Sequence, residues 1–375
     1  MENNSGRNTS RKIRSQQKKL GRFDYTLFCI IIILLVFGLV MIYSTSYYTA
    51  NLKYKDPTHW LKRQMVFAIA GVIGMIFVSK IDYHIYRKFI PLIFGATLVM
   101  LVAVLFIGEE VNGAKRWLNL GVITVQPSEI AKLALIIYMA TLLNRKSKKM
   151  VNYKEIIVSC IPPIIVIGLV ALQNLSTGIV LAAIMGIMLI VACPKTRKVL
   201  ACGLLAVGVV FIFYKMEPYR ESRVEAWLNP TMENAYQTLQ SLYAIGSGGM
   251  IGRGLGQSLQ KLGFIPEAHN DMIFSVICEE LGFMGAVSVI ALFVVLIYRM
   301  FIISCRAKDL YGTLLVVGAI AHIGIQVLIN ISVSTNVIPN TGVTLPFISY
   351  GGTSMIFLLA EMGIVINVSR ETNWR

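Results

Sequence analysis

The sequence predicts an all-α, polytopic integral membrane protein of about ten transmembrane helices with one large extracytoplasmic loop, and three observations predict it. Of the 375 residues, 56% are hydrophobic and 14% charged, against roughly 25% charged in an ordinary soluble domain. Windows of about 20 apolar residues, enough to cross a hydrocarbon core about 30 Å thick as a helix, recur along the chain. The basic residues behind the net charge of +16 lie almost wholly in short connections between those windows. That placement follows the positive-inside rule and argues against a nucleic-acid surface.

The expected spans are 24–45, 64–81, 89–108, 125–143, 156–172, 178–193, 199–213, 271–298, 310–334 and 351–368. With the N-terminus inside, 23 of the Lys and Arg residues fall in cytoplasmic stretches and 11 in outer loops, leaving Lys132 alone within a span. The alternation predicts both termini in the cytoplasm. Residues 1–23 are polar, basic and rich in Ser and Asn, as expected of a disordered cytoplasmic tail held near anionic headgroups. They do not make a cleavable signal, because the first apolar run is long enough to span and no small-residue cleavage site follows it. The membrane domain is expected over 24–368, with a short cytoplasmic tail at 369–375. Cys29, Cys160, Cys193, Cys202, Cys278 and Cys305 fall in or at the cytoplasmic ends of apolar segments, so no disulfide is expected, and no Cys or His spacing suggests a metal site.

Three connections stand out, all on the outer side in this topology. The longest, about 214–270, exceeds the length at which loops usually carry a function. In it EAWLNPTMENAYQTLQSLYAIGSGGMIGRGLGQ predicts a short helix burying Leu239, Leu242, Tyr243 and Ile245, followed by glycines from Gly246 to Gly256 that permit close backbone approach. TNVIPNTGVTLPFISYGG, from Thr335, has two prolines and no charge, which suits a segment tucked against the bundle. EEVNGAKRWLNLGVITVQPSE, from Glu109, offers an Asn-Gly turn, an Arg-Trp pair and a Pro-Ser-Glu helix entry. No inverted repeat relates the two halves, which argues against the common transporter designs.

The ionisable residues give the candidate site. Asp271 precedes the eighth span, where a carboxylate is also the ordinary choice for a helix cap. Its company of Pro266, Glu267 and His269 favours a functional reading, since a partly desolvated carboxylate suits a general base. Glu279 and Glu280 lie inside that span, and adjacent residues diverge by about 100° on a helix. At most one can share the face of Asp271, and both are read as buried polar supports. Glu129 and Lys132, three apart, meet on one face of the fourth span, either as a self-neutralising pair or as part of a site. Arg116 and Arg223 fit interfacial anchors or phosphate-holding cations. Asp82 and Glu361 are assigned to packing or solvation, and His59, His84, His269 and His322 show no ligand spacing.

Three motifs together resemble the SEDS family, which contains RodA, FtsW and SpoVE: NGAKRWLNLG with QPSEIAKL, then AIGSGGMIGRGLGQSLQKLGFIPEAHNDMIFSVICEELGF, then IPNTGVTLPFISYGGTSM. The resemblance runs from about the first span to Val368, with a weak lean toward FtsW and SpoVE in the LPFISYGGTS wording. It implies a glycosyltransferase of the bacterial cytoplasmic membrane that polymerises lipid II into peptidoglycan glycan strands during division, sporulation or elongation. A class B penicillin-binding protein would be its crosslinking partner. In that pattern Asp271 is the catalytic acid of Pro-Glu-x-His-x-Asp, and Glu129 with Lys132 support the site. Asn270 and Met272 depart from the usual Thr and Phe without removing an ionisable group. The implied chemistry makes Asp271 the base that takes the acceptor's 4-hydroxyl proton, while cations stabilise the departing diphosphate. In falling order the cations are Arg116, Arg223, Lys132 and Arg253, with Glu267, His269 and Glu280 as supporting residues. A divalent cation, Mg²⁺ or Mn²⁺, is an expected helper, its ligands unassigned, and no organic cofactor is expected.

The rival readings are a lipid II flippase or other transporter, which intramembrane ionisable pairs would also suit, and a noncatalytic scaffold that docks a partner's transmembrane helix. The gathering of charge toward the outer half and the one-sided large loop disfavour the transporter. A scaffold would tolerate loss of Asp271.

Overall fold

The computed structural model describes residues 23–111, 114–119, 121, 124–146, 153–193 and 218–372, with single positions at 197, 203 and 208. The expected basic tail up to residue 22 and almost all of the seventh expected span lie outside the described residues. The helices are α1 (Tyr25–Tyr54), α2 (His59–Val78), α3 (Tyr86–Ile107, after a 3₁₀ turn at Tyr83–Ile85), α4 (Pro127–Lys146), α5 (Tyr153–Gln173) and α6 (Leu175–Ala192). They continue as α7 (Pro218–Leu228), α8 (Tyr236–Gly248), α9 (Ile273–Arg306), α10 (Leu310–Ser334) and α11 (Thr353–Glu371). Among the described residues seven helical stretches are long and apolar enough to cross a membrane: α1, α2, Tyr83–Ile107, α6, α9, α10 and α11. Within α5 a shorter apolar stretch runs over Ile157–Gln173.

Helix α4 coincides with the fourth expected span but carries Glu129 and Lys132 within it. It tolerates them because it is an inner helix, packed against α3, α6 and α10, so its polar groups meet protein instead of lipid. The tightest pairings elsewhere are α2 with α11, α9 with α10, and α8 with α9.

Charged and polar caps fix the end of the bundle at which α1 starts. The Asp24 carboxylate caps α1 through the Leu27 amide and meets Arg299 at 3.0 Å. Asp309 caps α10 through the Gly312 amide and accepts from the Tyr83 hydroxyl at 2.9 Å. The Asn367 side chain bridges Tyr83 and Ser79. The opposite end, called the loop end below, carries α7, α8, residues 335–352 and a three-stranded antiparallel sheet. Its strands are β1 (Glu109–Val111), β2 (Ala114–Asn119) and β3 (Thr124–Val125). Val111 pairs with Ala114, and the expected Asn-Gly turn between them lies outside the described residues.

Two features of the long loop differ from expectation or explain it. Helix α8 buries Gln240, Ser241, Ala244 and Gly248, while Tyr243, expected inside, is half exposed. The inward face is the one with small side chains because α8 lies almost in contact with the α9 backbone: a Cβ on Gly248 would overlap the Cys278 carbonyl. The glycines that follow serve the break in α9 at Gly282, where φ is +68°. A broken helix leaves backbone groups without partners. Residues 249–254 supply them: the Arg253 and Gly254 amides donate to the Glu279 and Glu280 carbonyls, and the Phe283 and Met284 amides donate to the Gly249 and Met250 carbonyls. Gly252 and Gly282 lie back to back, with no room for a Cβ on either.

Candidate active site

The three unusual connections converge on one cavity of about 550 Å³ at the loop end. Its wall takes Arg63 and Phe67 from α2, Arg116 and Trp117 from β2, Glu129 from α4, Arg223 from α7 and Gln237 from α8. The segment before α9 adds Glu267, Asn270 and Asp271, and residues 340–354 close the remaining side through Asn340, Gly342, Thr344 and the turn into α11. The Gln64 side-chain oxygen accepts from the Gly351 and Gly352 amides, and Thr353 Oγ1 donates to the Thr124 carbonyl. The start of α11 is thereby fastened to both α2 and β3.

Asp271 sits in the turn ahead of α9, and Met272 occupies the cap position without a side-chain cap bond. The carboxylate is therefore not spent on capping. Its backbone carbonyl accepts from Asn330 Nδ2 at 2.7 Å, and the same amide donates to the Val343 carbonyl at 2.8 Å, so one α10 side chain ties two walls together. Gln237 Nε2 lies 3.4 Å from Asp271 Oδ1. Loss of surrounding water raises the Asp271 pKa to about 6, with Glu267 pushing the same way and its own backbone amide, Arg223 and Gln237 opposing. Such a group is a carboxylate at neutral pH yet basic enough to take a proton.

Glu129 shares the cavity with Asp271, a proximity that sequence could not establish. Lys132 lies behind it, 2% exposed, with Nζ 2.9 Å from Glu129 Oε1, so this cation fixes Glu129 and does not itself line the cavity. Arg116 donates from Nε to the Gln173 carbonyl, and Arg223 from Nη1 to the Asn340 carbonyl at 2.9 Å; both remain on the wall. Glu267, at φ +48°, accepts from Asn270 Nδ2. His269 is buried between Trp60 and Tyr350. Burial lowers its pKa to about 4, against an opposing pull from Glu267, so it is a neutral packing element beside the cavity.

Glu279 and Glu280 both point away from the cavity. Glu280 accepts from Ser44 Oγ and pairs with Lys261 at 2.7 Å. Glu279 takes Ser258 Oγ and the Leu259 amide, with Arg253 at 3.5 Å. Arg253, the last of the expected phosphate cations, is thus a support of the loop. Glu361 is buried against His322 Nδ1 at 2.7 Å. Sequence reasoning missed Arg63, a third arginine on the wall, and the amides of Gln237 and Asn340. Arg63 stands at the start of an apolar helix like any interfacial anchor, and no charge marks the amides.

The chemical content is a carboxylate and three arginines lining one cavity, with the N-terminal end of α11 adding the positive end of a helix dipole. A cavity so charged suits a diphosphate and a nucleophilic hydroxyl. The family model described as "Cell cycle protein", covering FtsW, RodA and SpoVE, matches residues 25–374. The stage V sporulation protein E of Bacillus subtilis is 38% identical over 94% of this chain and 98% of its own. A probable peptidoglycan glycosyltransferase FtsW of Trichlorobacter lovleyi is 37% identical over 94% of each. Among solved structures, a chain of a peptidoglycan synthase complex superposes with a TM-score of 0.78 at 28% identity, over 94% of this chain and 99% of that one. The rod shape determining protein RodA of Thermus thermophilus gives 0.69 at 28% identity, over 94% and 98%.

Proposed function

The chain belongs to the FtsW, RodA and SpoVE family, and from that premise we propose that it is a peptidoglycan glycosyltransferase that polymerises lipid II at the outer face of the bacterial cytoplasmic membrane. The observation that carries the mechanism is the placement of Asp271 opposite Arg63, Arg116 and Arg223 in one cavity at the loop end. A donor anchored by a polyprenyl tail can present its sugar diphosphate only near a membrane surface, and the loop end is then the outer surface. The acceptor's 4-hydroxyl oxygen attacks the donor's anomeric carbon, and its proton passes to Asp271. The bond from that carbon to the diphosphate breaks, and the bonding pair leaves with the polyprenyl diphosphate. The arginines balance the charge that develops on the leaving oxygen. Glu129, fixed by Lys132, keeps a hydrogen-bond acceptor on the wall for a sugar hydroxyl or amide.

A Mg²⁺ or Mn²⁺ ion would use Glu267 and the substrate's own phosphates, since such ions bind through one or two carboxylates plus phosphate; it would share the diphosphate charge with the arginines. A class B penicillin-binding protein as crosslinking partner is supported by the likeness to a peptidoglycan synthase complex. A sporulation role is supported by the 38% identical stage V sporulation protein E, and a division role by the family description "Cell cycle protein". The test is polymerisation of labelled lipid II by the purified protein, with and without partner and divalent metal, with glycan chains separated on a gel. Chains from wild type and none from Asp271→Ala are expected. No chains from either, with lipid II flipping in vesicles, would replace the reading by a transporter.

A further inference from the structure

On the reading that Asp271 is the base, we propose that a directional relay of amides, Gly342 to Asn340 to Gln237, holds the Asp271 carboxylate so that Oδ2 is the oxygen that takes the acceptor's proton. The direction follows from chemistry. A backbone N–H can only donate, and the Gly342 amide donates to Asn340 Oδ1 at 3.1 Å. Asn340 must then present its Nδ2, which donates to Gln237 Oε1 at 3.0 Å. Gln237 is left with Nε2 toward Asp271 Oδ1, at 3.4 Å, the long spacing common for catalytic groups before substrate arrives. The side-chain amides could each be turned over in isolation; the backbone donor at the head of the chain forbids it. Arg223 fixes the Asn340 main chain from outside, so three separate segments, α7, α8 and residues 335–352, set one carboxylate.

With Oδ1 taken by Gln237, Oδ2 accepts no side-chain hydrogen bond among the described residues and looks toward Gly342. There an added Cβ would stand 3.9 Å away, and φ is +68°. The same glycine that starts the relay therefore leaves the approach to Oδ2 uncovered. A hydrogen bond to the ionised carboxylate also favours that form, in keeping with the opposing effect of Gln237 on the raised Asp271 pKa. Gln237 and Asn340 are positioning residues, acting through Asp271.

The test compares Gln237→Ala, Asn340→Asp and the double variant in lipid II polymerisation, with kcat and KM measured across pH. Asn340→Asp keeps size and still accepts from Gly342 but has no donor for Gln237, so it cuts the relay where a purely structural role would tolerate it. Each single variant should lose about tenfold in kcat, the scale of one hydrogen bond to a charged group, with KM altered less than about threefold. The acid limb of the profile should move to higher pH, and the double variant should be no worse than Gln237→Ala. Wild-type kcat in Asn340→Asp, an unmoved acid limb in Gln237→Ala, or losses that multiply in the double variant would overturn the relay. Normal polymerisation by Asp271→Asn would instead remove the base assignment itself, which separates the two failures.

Discussion

Replacing Lys261 with Met should destabilise the protein by stranding a buried carboxylate. Its ammonium meets Glu280 at 2.7 Å, with side chains 7% and 0% exposed, and also donates to Ser44 Oγ at 2.9 Å. At an effective dielectric of about 20 the attraction at that distance is roughly 6 kcal/mol. Desolvation of two ions offsets much of it, so the pair adds little net stability. Removing one partner is different, because Glu280 is then left in the interior without its cation, at a cost of about 3–5 kcal/mol. For 375 residues the unfolding entropy is about 0.8 kcal/mol/K, which converts that loss to a fall in Tm of about 4–6 °C. Thermal unfolding of the detergent-purified protein measures it. The double variant Lys261→Met with Glu280→Gln should recover most of the loss, since neither charge remains. Polymerisation should fall in the single variant because residues 258–261 are anchored to α9 by Glu279 and Glu280 just upstream of Asp271. A Tm within about 1 °C of wild type for Lys261→Met, or a double variant worse than the single, would refute the reasoning.

The Asp271 pKa of about 6 predicts how activity depends on pH: a base must be ionised, so kcat/KM should rise through pH 6 and fall about tenfold per unit below it, as measured by initial rates at lipid II well below KM. Arg63→Gln, Arg116→Gln and Arg223→Gln should each lower kcat/KM by about tenfold to a hundredfold through weaker hold on the diphosphate, with Arg→Lys recovering part; steady-state kinetics checks this, and an unchanged Arg63 variant would remove it from the wall's function. Gly252→Ala should cost about 2–4 kcal/mol, since its Cβ would overlap the Glu280 carbonyl at a φ of +87°, and limited proteolysis after Arg253 should report the loosened loop. If a divalent ion helps, chelation should lower kcat and either Mg²⁺ or Mn²⁺ should restore it.

The parts of this molecule that were legible in sequence are those where physics forces a contrast. Apolar windows and basic connections placed the helices because lipid admits few alternatives. Asp271, Glu129 and Lys132 stand out because ionisable groups are costly beside hydrocarbon. What stayed hidden depends on neighbours that sequence does not supply. Lys261 read as an ordinary loop cation because Glu280 and Ser44 reach it only across the fold. Tyr243 of α8, expected inward with the half-buried Leu239, Leu242 and Ile245, is exposed because contact with α9 selects small side chains such as Ser241, Ala244 and Gly248. Arg63 matched the pattern of an interfacial anchor, and Gln237 and Asn340 carry no charge to draw notice. Glu279 and Glu280 are buried and partnered by residues 258–261, a contact that only the broken helix at Gly282 reveals.

The measurement that bears most directly on the central claim is the pairing of lipid II binding with chain formation in Asp271→Asn, at protein amounts matched to wild type. The substitution keeps the shape of the side chain and removes its basicity. The account predicts binding within about threefold of wild type and no detectable glycan chains, since the arginines that hold the diphosphate are intact and the proton acceptor is gone. Chains formed at the wild-type rate would contradict it, and would show that Asp271 is not the base.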